Sequence, residues 1–377
     1  MIYFDNAATT EMCEPALSVL VELSKVQYAN ASAVYRWGRK AKELLEDARC
    51  IISKCIGAYP DEIFFTSGGT ESNNWVINCF SHVVDKVVVS SVEHHAILRP
   101  IERLKNDGGC VEILPVDNGC NVHAEDLQLL LNSKKTLVSV MFQNNETGVL
   151  QDVSSLARTV HNCNPYSIFH TDAVQAVGHT EIDVHKLGID ILSASAHKFN
   201  GPKGVGFLYV NRNIDMSPMI MGGGQEKGMR SGTENIPGIY SMAKALENNI
   251  NLLKYNENRI KSLEELFFKE LSRLGVSYKI NGNVRKKAPG VINIAIDNID
   301  GEGLFNFLDI HDVCVSLGSA CNSESKNRSH VLLAMGIDKQ RIDESIRISI
   351  GRYNSTHEVV ELARLLKKYY DIAIMTK

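Results

Sequence analysis

The chain has 377 residues, of which 44% are hydrophobic and 22% charged, and its formal net charge is −4. This length exceeds the usual size of one hydrophobic core, so we expect two domains. The slightly negative balance excludes a broad basic surface for nucleic acid or anionic membrane. The N-terminus lacks the basic segment of a secretory signal, and no apolar run approaches the roughly 18 residues that span a bilayer.

The nine cysteines are scattered along the chain, and none forms a CxxC pair or another metal-ligand spacing. Their odd number argues against a complete disulfide framework. We therefore expect free thiols in a reducing compartment, a cytoplasmic location and no resident metal.

The chain begins with a predicted strand and polar turn, MIYFDNAATT. Apolar residues at helical spacing then predict two helices, with residues 28–39 as a loop between them. The predicted elements of this part are helices Glu14–Val26 and Lys40–Cys55, strand Ile63–Thr66 and helix Ser72–Val84.

From residue 86 onward, short β-branched runs alternate with amphipathic segments. The predicted strands are Lys86–Ser90, Val111–Val116, Leu137–Phe142, Ser167–Thr171, Asp190–Ala194 and Gly204–Val210. The predicted helices are Ala96–Asn106, Glu125–Leu131 and Val153–His161. Repeated βαβ units imply an α/β fold whose mostly parallel sheet is flanked by helices on both faces.

The last third of the chain changes character. It is helical from Asn235 to about Leu274, and shorter elements follow. The predicted strands are Val291–Ile296, Val313–Ser316 and Ile346–Ile350, and the predicted helices are Gly303–Ile310, Val331–Met335 and His357–Tyr370. We expect a large domain, 15–255, and a smaller α+β domain formed by 1–14 with 256–377.

Chemistry-bearing residues follow the predicted strands, where open α/β sheets place their ligands. The central example is Ser195-Ala196-His197-Lys198, directly after a buried strand. A lysine held there can form a Schiff base with an aldehyde cofactor. A surface lysine in an ordinary turn is the alternative, and it is preferable if this segment is considered alone.

Other strand ends carry related residues. The turn Thr66-Ser67-Gly68-Gly69-Thr70-Glu71 precedes a helix and suits a phosphate, although many glycine turns bind nothing. His94 could stack on a flat ring or move protons, or be a solvated loop histidine. Asp172 could pair with a protonated pyridine nitrogen, or cap a helix. Asn145 follows the predicted strand Leu137–Phe142, and Gln175 follows the next predicted strand, three positions after Asp172.

Three later segments add to this set. The loop GGGQEKGMRSGTE, residues 222–234, offers Lys227, Arg230 and Thr233 to an oxyanion, or is a flexible surface loop. Cys321 lies in the polar run SLGSACNSESKNRS, where a thiol is more exposed and reactive than in an apolar element. Arg347, in a strand-like run, is suited to binding a carboxylate bidentately.

Together these segments resemble the cysteine desulfurases of the NifS/IscS type, within the class-V, fold-type-I enzymes that use pyridoxal 5′-phosphate (PLP). The segments that carry the resemblance are FTSGGTESNN, SVEHHA, NNETG, SAHKFNGPKGVGFLYV, GGGQEKGMRSGTEN and SLGSACNSES. They extend over nearly the whole chain.

The resemblance implies a role for each residue. Lys198 would bind PLP covalently, Asp172 would pair with the pyridine nitrogen, Gln175 with the ring hydroxyl, and His94 would stack on the ring. The phosphate would be held by Gly69, Thr70, Ser195 and His197, with Thr233 reaching it from the partner subunit of a homodimer.

Asn145 and Arg347 would hold the carboxylate of L-cysteine. Cys321 would accept the sulfur as a persulfide and pass it to an acceptor protein, either an iron–sulfur scaffold or a thiolation enzyme, and it could transiently ligate an iron–sulfur cluster.

One segment departs from the family pattern. Many relatives have Asn-Pro-Ser-Ser near the substrate side, whereas this chain has Asn30-Ala31-Ser32-Ala33. Asn30 remains a candidate substrate-binding residue, and the departure concerns substrate fit or turnover. A selenocysteine lyase, another class-V aminotransferase-like enzyme or an inactive binding protein with the same fold are the alternatives.

Overall fold

The computed structural model describes residues 1–317 and 328–375. The strands are β1 Ile2–Tyr3, β2 Ile63–Thr66, β3 Lys86–Ser90, β4 Val111–Leu114, β5 Thr136–Ser139, β6 Ile168–Asp172, β7 Ile191–Ser195, β8 Gly206–Val210, β9 Tyr278–Ile280, β10 Val291–Ile296, β11 Val313–Cys314, β12 Ser316–Leu317 and β13 Ser345–Ser349.

The helices alternate with these strands. They are α1 Glu14–Val26, α2 Arg36–Ile56, α3 Gly69–Phe80, α4 His95–Asn106, α5 Ala124–Leu130, α6 Val153–Cys163, α7 Val184–Leu187, α8 Ile236–Asn251, α9 Leu253–Arg273, α10 Gly301–Ile310, α11 His330–Ala334, α12 Lys339–Asp343 and α13 Thr356–Met375. Among the described residues, no helix is long and apolar enough to cross a bilayer.

The large sheet has seven strands in the order β2-β8-β7-β6-β5-β3-β4. The strands β4, β3, β5, β6 and β7 pair in parallel, and β8 runs antiparallel to both of its neighbours, β7 and β2. Every strand except β8 therefore points the same way, and their carboxyl ends meet at one edge of the sheet. That edge is the expected place for a ligand.

Both faces of this sheet are covered by helices. Val87 and Val89 of β3 pack in one apolar cluster, with residues of α3 and α4. Val88, between them, packs in another cluster with residues of α2, α6 and α8. This alternation is what a two-residue side-chain period requires of a strand buried on both sides. The predicted α/β architecture with a mostly parallel sheet flanked by helices is thus confirmed.

A second, antiparallel sheet has the order β12-β13-β10-β9. Its apolar residues cluster with those of α9, α10 and α13, and with Phe4 near the start of the chain. The N-terminal strand β1 pairs in parallel with β11, and Asp5 forms an isolated bridge to Ser349. Residues 2–5 therefore join elements that lie more than three hundred positions later in the chain.

The structure changes some predicted boundaries. The loop predicted over residues 28–39 is wrong at its end, because α2 already begins at Arg36. Gly38 and Trp37 suggested a loop, but a Cβ on Gly38 would lie 2.2 Å from the carbonyl oxygen of Ala33, so this helical position requires glycine. The helix predicted from Ser72 begins three residues earlier, at Gly69. The elements α7, β9 and α12 were not predicted.

Candidate functional site

An open cavity of about 560 Å³ lies at the carboxyl edge of the large sheet. The residues that line it come from the ends of β2, β3, β5, β6 and β7, from the N-terminal segment and from β13. They are Ala7, Ala8, Thr9, Ser67, Gly68, Gly69, Thr70, Glu71, Asn73, His94, Met141, Asn145, Asp172, Val174, Gln175, Ser195, His197, Lys198, Lys203, Gly204 and Arg347. We call this cavity the cleft.

One end of the cleft is the turn between β2 and α3. The first N–H groups of a helix have no partner within the helix, and the helix dipole makes this end positive. Two glycines allow the turn to sit close to the sheet: Gly68 has φ 148°, and a Cβ on Gly69 would lie 2.5 Å from Cγ2 of Val174. Donors and a positive dipole end therefore face the cleft at Gly69 and Thr70, as a phosphate requires.

The base of the cleft holds a buried carboxylate, that of Asp172 at the end of β6. The Asn73 side-chain amide donates to its Oδ2 at 2.6 Å, and the Val174 backbone N–H donates to its Oδ1 at 3.0 Å. The side chain is 5% exposed, and none of the ion pairs among the described residues includes it. A buried carboxylate is costly unless it meets a cation, so Asp172 is suited to a cationic group in the cleft.

Lys198 follows β7 in a short 3₁₀ turn, residues 196–198. Its ammonium donates to the backbone carbonyls of Ala7 and Ala8 at 2.7 and 2.8 Å. The Gln175 side-chain amide donates to the same Ala7 carbonyl at 2.8 Å. The N-terminal segment therefore positions both the lysine and the glutamine, with the amine inside the cleft.

His94 is the N-cap of α4, and its Nδ1 accepts the Ala96 backbone N–H at 3.1 Å. In the neutral ring the proton must then be on Nε2, so that nitrogen is a donor. Burial lowers the pKa of His94, the charge of Lys198 lowers it further, and Asp172 opposes both effects. At neutral pH His94 is therefore an uncharged ring that can donate a hydrogen bond through Nε2.

Glu93, next to this histidine, is fully buried. Its Oε1 accepts from the Ser90 hydroxyl and, at 2.7 Å, from the Met141 backbone N–H, whereas Oε2 has no partner. Burial raises the pKa of Glu93 from 4.5 to about 8, and the nearby charge of Asp172 adds to this. The side chain thus ties the ends of β3 and β5 together as a neutral carboxyl group.

His197 lies beside the glycine turn in the cleft, with Ser195. Its Nδ1 is 3.2 Å from the Thr9 hydroxyl. Burial lowers the pKa of His197 to about 4, with smaller contributions from Lys198 and Lys203. As a neutral ring it can offer one N–H to an anion, together with the Ser195 hydroxyl.

The other end of the cleft carries Arg347, from β13 of the antiparallel sheet. Its Nη2 contacts Asp5 Oδ1 at 2.7 Å, and its Nη1 donates to the Asn145 carbonyl at 3.1 Å. The guanidinium is 2% exposed, and its Nε has no partner. An unused donor on a buried guanidinium is what a small carboxylate would need at this place.

The structure brings most of the predicted site residues together. Those in the cleft are Gly69, Thr70, His94, Asn145, Asp172, Gln175, Ser195, His197, Lys198 and Arg347. Asn30 and Thr233 are exposed and lie outside the cleft lining of this chain. Cys321 falls outside the described residues. The roles given to these residues stay predictions.

In the 222–234 loop, the two cations suggested for an oxyanion contact protein groups of this chain. Arg230 forms two hydrogen bonds with the Glu71 carboxylate, and Lys227 donates to the Asp61 carbonyl at 3.0 Å. Glu226 of the same loop makes a buried ion pair with Arg49 at 2.8 Å. Within this chain both cations are occupied by protein partners, and the loop is anchored at three points.

Sequence reasoning missed Asp5, Asn73 and Glu71. Asn73 had one signal, since a buried Asn inside a helix must satisfy its amide and implies a polar partner. Asp5 and Glu71 stand in the quoted motifs, but only the fold shows which cations they contact.

A sequence model of the aminotransferase class-V family matches residues 2–362. A relative from Dictyoglomus turgidum, named cysteine desulfurase IscS, is 38% identical over 99% of this chain and 96% of its own length. The chain belongs to the cysteine desulfurase family of class-V aminotransferases. Among solved structures, a NifS-like protein has a TM-score of 0.92 at 34% identity, covering 98% of this chain and 99% of that one. A structure titled SspA in complex with cysteine has a TM-score of 0.84 at 30% identity, over 94% and 100% of the two chains.

Membership in this family makes the protein PLP-dependent, as predicted. The cleft fits that cofactor in three respects: a lysine amine, a buried carboxylate without a cationic partner among the described residues, and helix N–H donors at the glycine turn. Lys198, Asp172 and the Gly69–Thr70 turn are the residues that would hold it.

Proposed function

We propose that this protein removes sulfur from L-cysteine, leaving L-alanine, and carries that sulfur on Cys321 as a persulfide. The observation that carries the proposal is that an amine suited to PLP, Lys198, and a guanidinium suited to an amino-acid carboxylate, Arg347, line one cavity. The relatives named cysteine desulfurase and the neighbour titled as a cysteine complex support this reaction over the alternatives.

When bound, PLP supplies an electron sink that lets the substrate lose its Cα proton. Lys198 would hold the cofactor, and its amine, free once substrate is bound, would act as the base for that proton. Asp172 would keep the pyridine nitrogen protonated, backed by Asn73. Gln175 would contact the ring hydroxyl, and His94 would cover the ring face.

The phosphate would sit at the N-terminus of α3. Gly69 and Thr70 would offer N–H and hydroxyl donors, and Ser195 and His197 would complete the set from the end of β7. Because the pKa of His197 is held low, to about 4, it would contribute a neutral donor.

The substrate carboxylate would bind Arg347 through the unpartnered Nε, with the Asn145 side chain beside it. His94 is a neutral ring with its N–H on Nε2, so we assign it a hydrogen bond to the reacting groups at the substrate, and it would donate a proton there only after it had gained one.

Sulfur transfer needs a thiolate in reach of the substrate sulfur. The Cys321 thiolate would attack that sulfur and form an S–S bond. The C–S bond breaks, and its electron pair stays on Cβ, which takes a proton; Cα regains the proton it lost, and alanine results. The persulfide then meets the thiolate of an acceptor protein, an iron–sulfur scaffold or a thiolation enzyme.

We further propose a homodimer in which Thr233 completes the phosphate site of the neighbouring subunit and Asn30 lies near the substrate. Their exposure outside the cleft of their own chain supports this assignment. Sedimentation that finds a monomer with tightly held PLP would contradict it.

Two coarser proposals complete the assignment. We divide the chain into a large domain, 15–255, and a small domain, 1–14 with 256–377. Separate apolar clusters of residues 13–246 and of residues 4 and 260–366 support this division. We place the protein in the cytoplasm, in keeping with eight described cysteines that are all free.

The test uses pure protein and L-cysteine. The wild type should be yellow and should release alanine, and mass spectrometry should find one extra sulfur on the peptide that contains Cys321. Cys321→Ala should still change its visible spectrum with L-cysteine but release almost no alanine, whereas Cys314→Ala should keep its activity. A keto acid as product, or alanine from Cys321→Ala at the parent rate, would overturn the proposal.

A further inference from the structure

Glu71 is a carboxylate in an unfavourable place for a phosphate-binding turn. It lies in the first turn of α3 and lines the cleft. An acidic residue at a helix N-terminus is stabilised by the helix dipole, but a phosphate needs the same positive end. The two anions therefore compete for one source of positive potential.

Glu71 also shapes the turn. Its Oε2 accepts the Ser67 backbone N–H at 3.1 Å, which closes the segment in front of the two glycines. Burial alone would raise the pKa of Glu71, but hydrogen bonds from Arg230 and Ser67 and the charge of Arg230 hold it below its usual value. The side chain is thus ionised where it lines the cleft.

Arg230, in the 222–234 loop, forms an ion pair with the Glu71 carboxylate. Its Nε and Nη2 donate to the two Glu71 oxygens at 2.8 and 3.1 Å, a bidentate pair. The two side chains are 24% and 12% exposed, so water screens the pair only in part. The Arg230 backbone is fixed as well, by a bridge with Ile220.

We infer that Arg230 is a positioning residue for the cofactor phosphate, which it serves by neutralising Glu71. Glu71 holds the turn in shape, and Arg230 cancels the charge that the carboxylate would otherwise direct at the phosphate. This inference rests on the proposed PLP site and adds a pair of residues to it. It predicts that Glu71 without Arg230 is worse for phosphate binding than the absence of both.

The experiment measures dissociation constants of the apo protein for PLP and for pyridoxal, which lacks the phosphate. Arg230→Met should weaken PLP binding about tenfold or more, because a carboxylate then faces the phosphate in a partly desolvated cleft. Pyridoxal binding should not change. Glu71→Gln with Arg230→Met should restore PLP affinity close to the wild-type value, since neither charge remains.

A matched control comes from the same loop. Lys227→Met removes one positive charge three positions away, but Lys227 contacts the Asp61 carbonyl and not Glu71. It should leave the ratio of PLP to pyridoxal affinity at the wild-type value. If Arg230→Met does not fold, Arg230→Lys and the double variant give the comparison, because Arg230→Lys keeps the charge and should keep most of the PLP affinity.

Each outcome separates the inference from the proposed function. Wild-type apo protein that binds no PLP would overturn both. If the wild type binds PLP normally but Arg230→Met weakens the binding of PLP and of pyridoxal equally, only the inference is overturned. That pattern means a general loss of loop structure. A double variant as weak as Arg230→Met would do the same.

Discussion

The two ends of the cleft are supported in different ways. At the cofactor end, Lys198, Asp172 and the glycine turn stand at the ends of β7, β6 and β2 of one sheet, and α3 supplies Asn73. At the substrate end, Arg347 comes from another sheet and is held by Asp5. The first end is built mainly on one sheet, although the Ala7 and Ala8 carbonyls hold its lysine, whereas the second depends on an ion pair between residues of two distant segments. Mutations should therefore affect cofactor binding and substrate binding separately.

The largest expected effect is at the cofactor end. Lys198→Ala should lower alanine formation by about 10²- to 10⁴-fold, because the proton transfer loses its base. Borohydride should fix the cofactor to the Lys198 peptide in the wild type and nowhere in the variant. Lys203→Ala is the matched control, since it removes another lysine of the same cleft and should keep both activity and labelling. Labelling at Lys203 in the wild type would contradict the assignment.

At the substrate end, Arg347→Lys should raise the KM for L-cysteine by about 10- to 100-fold, because a point charge replaces a guanidinium that uses several donors at once. PLP affinity should stay at the wild-type value, and that pairing of results measures how separate the two ends are. Arg352→Lys is the control, because that guanidinium donates to Asn248 and Asn249. A parallel loss of PLP affinity would show that the ends are coupled.

Asp5→Asn should lower the free energy of unfolding by about 3 kcal/mol, because it leaves a buried arginine without its ion-pair partner. Denaturant titration of the apo protein measures this. Asp61→Asn breaks an exposed ion pair, in which the Asp61 side chain is 57% exposed and that of Arg212 46%. It should lower the free energy of unfolding by no more than about 1 kcal/mol. Equal losses in the two variants would remove the special role given to Asp5.

The smallest effect concerns pH. Glu93 has a pKa of about 8 in the folded state against an ordinary 4.5, so the folded protein holds that proton more tightly than the unfolded chain. The contribution of Glu93 to stability therefore falls as the pH rises from about 4.5 through 8. Between about pH 6.5 and 8 the free energy of unfolding should lose on the order of 1–2 kcal/mol through Glu93. In Glu93→Gln the free energy of unfolding, measured by denaturant titration at each pH, should fall less over this interval by that amount. An unchanged dependence on pH would contradict the assignment.

Predicted residues of both proposed ends line the cleft, but the sequence indicates the contacts that support the proposed cofactor end better than those that support the proposed substrate end. Asp172, Ser195 and Lys198 were found because each follows a buried strand, and parallel strand ends meet at one edge whatever the details of packing. Arg347 was found only as a residue type suited to carboxylates. Its partner Asp5 depends on contacts between residues 342 positions apart, which no local pattern encodes.

The same limit explains the boundary errors. Local propensity disfavours glycine at the start of α3 and inside α2, yet close approaches to Val174 and Ala33 require it there. In the 222–234 loop, composition suggested either free cations or flexibility. The structure gives a third answer, because the loop is held by two ion pairs, Arg49–Glu226 and Arg230–Glu71. Each pair joins one residue of the loop to a residue far away along the chain, 177 and 159 positions respectively.

The placement of residues 2–8 has a consequence for how the molecule forms. Ile2 pairs with Val313, and the carbonyls that hold Lys198 belong to Ala7 and Ala8. On the ribosome, the first residues emerge long before β11 and β13 exist. The large sheet can assemble early, but its lysine is not fully positioned until the last elements have been synthesised and have fixed the N-terminal segment. Such non-local closure is slow compared with helix formation. In a nascent chain the Lys198 amine is therefore positioned last. A truncated chain that ends before β13 should fold in part, but its Lys198 amine should not be ordered.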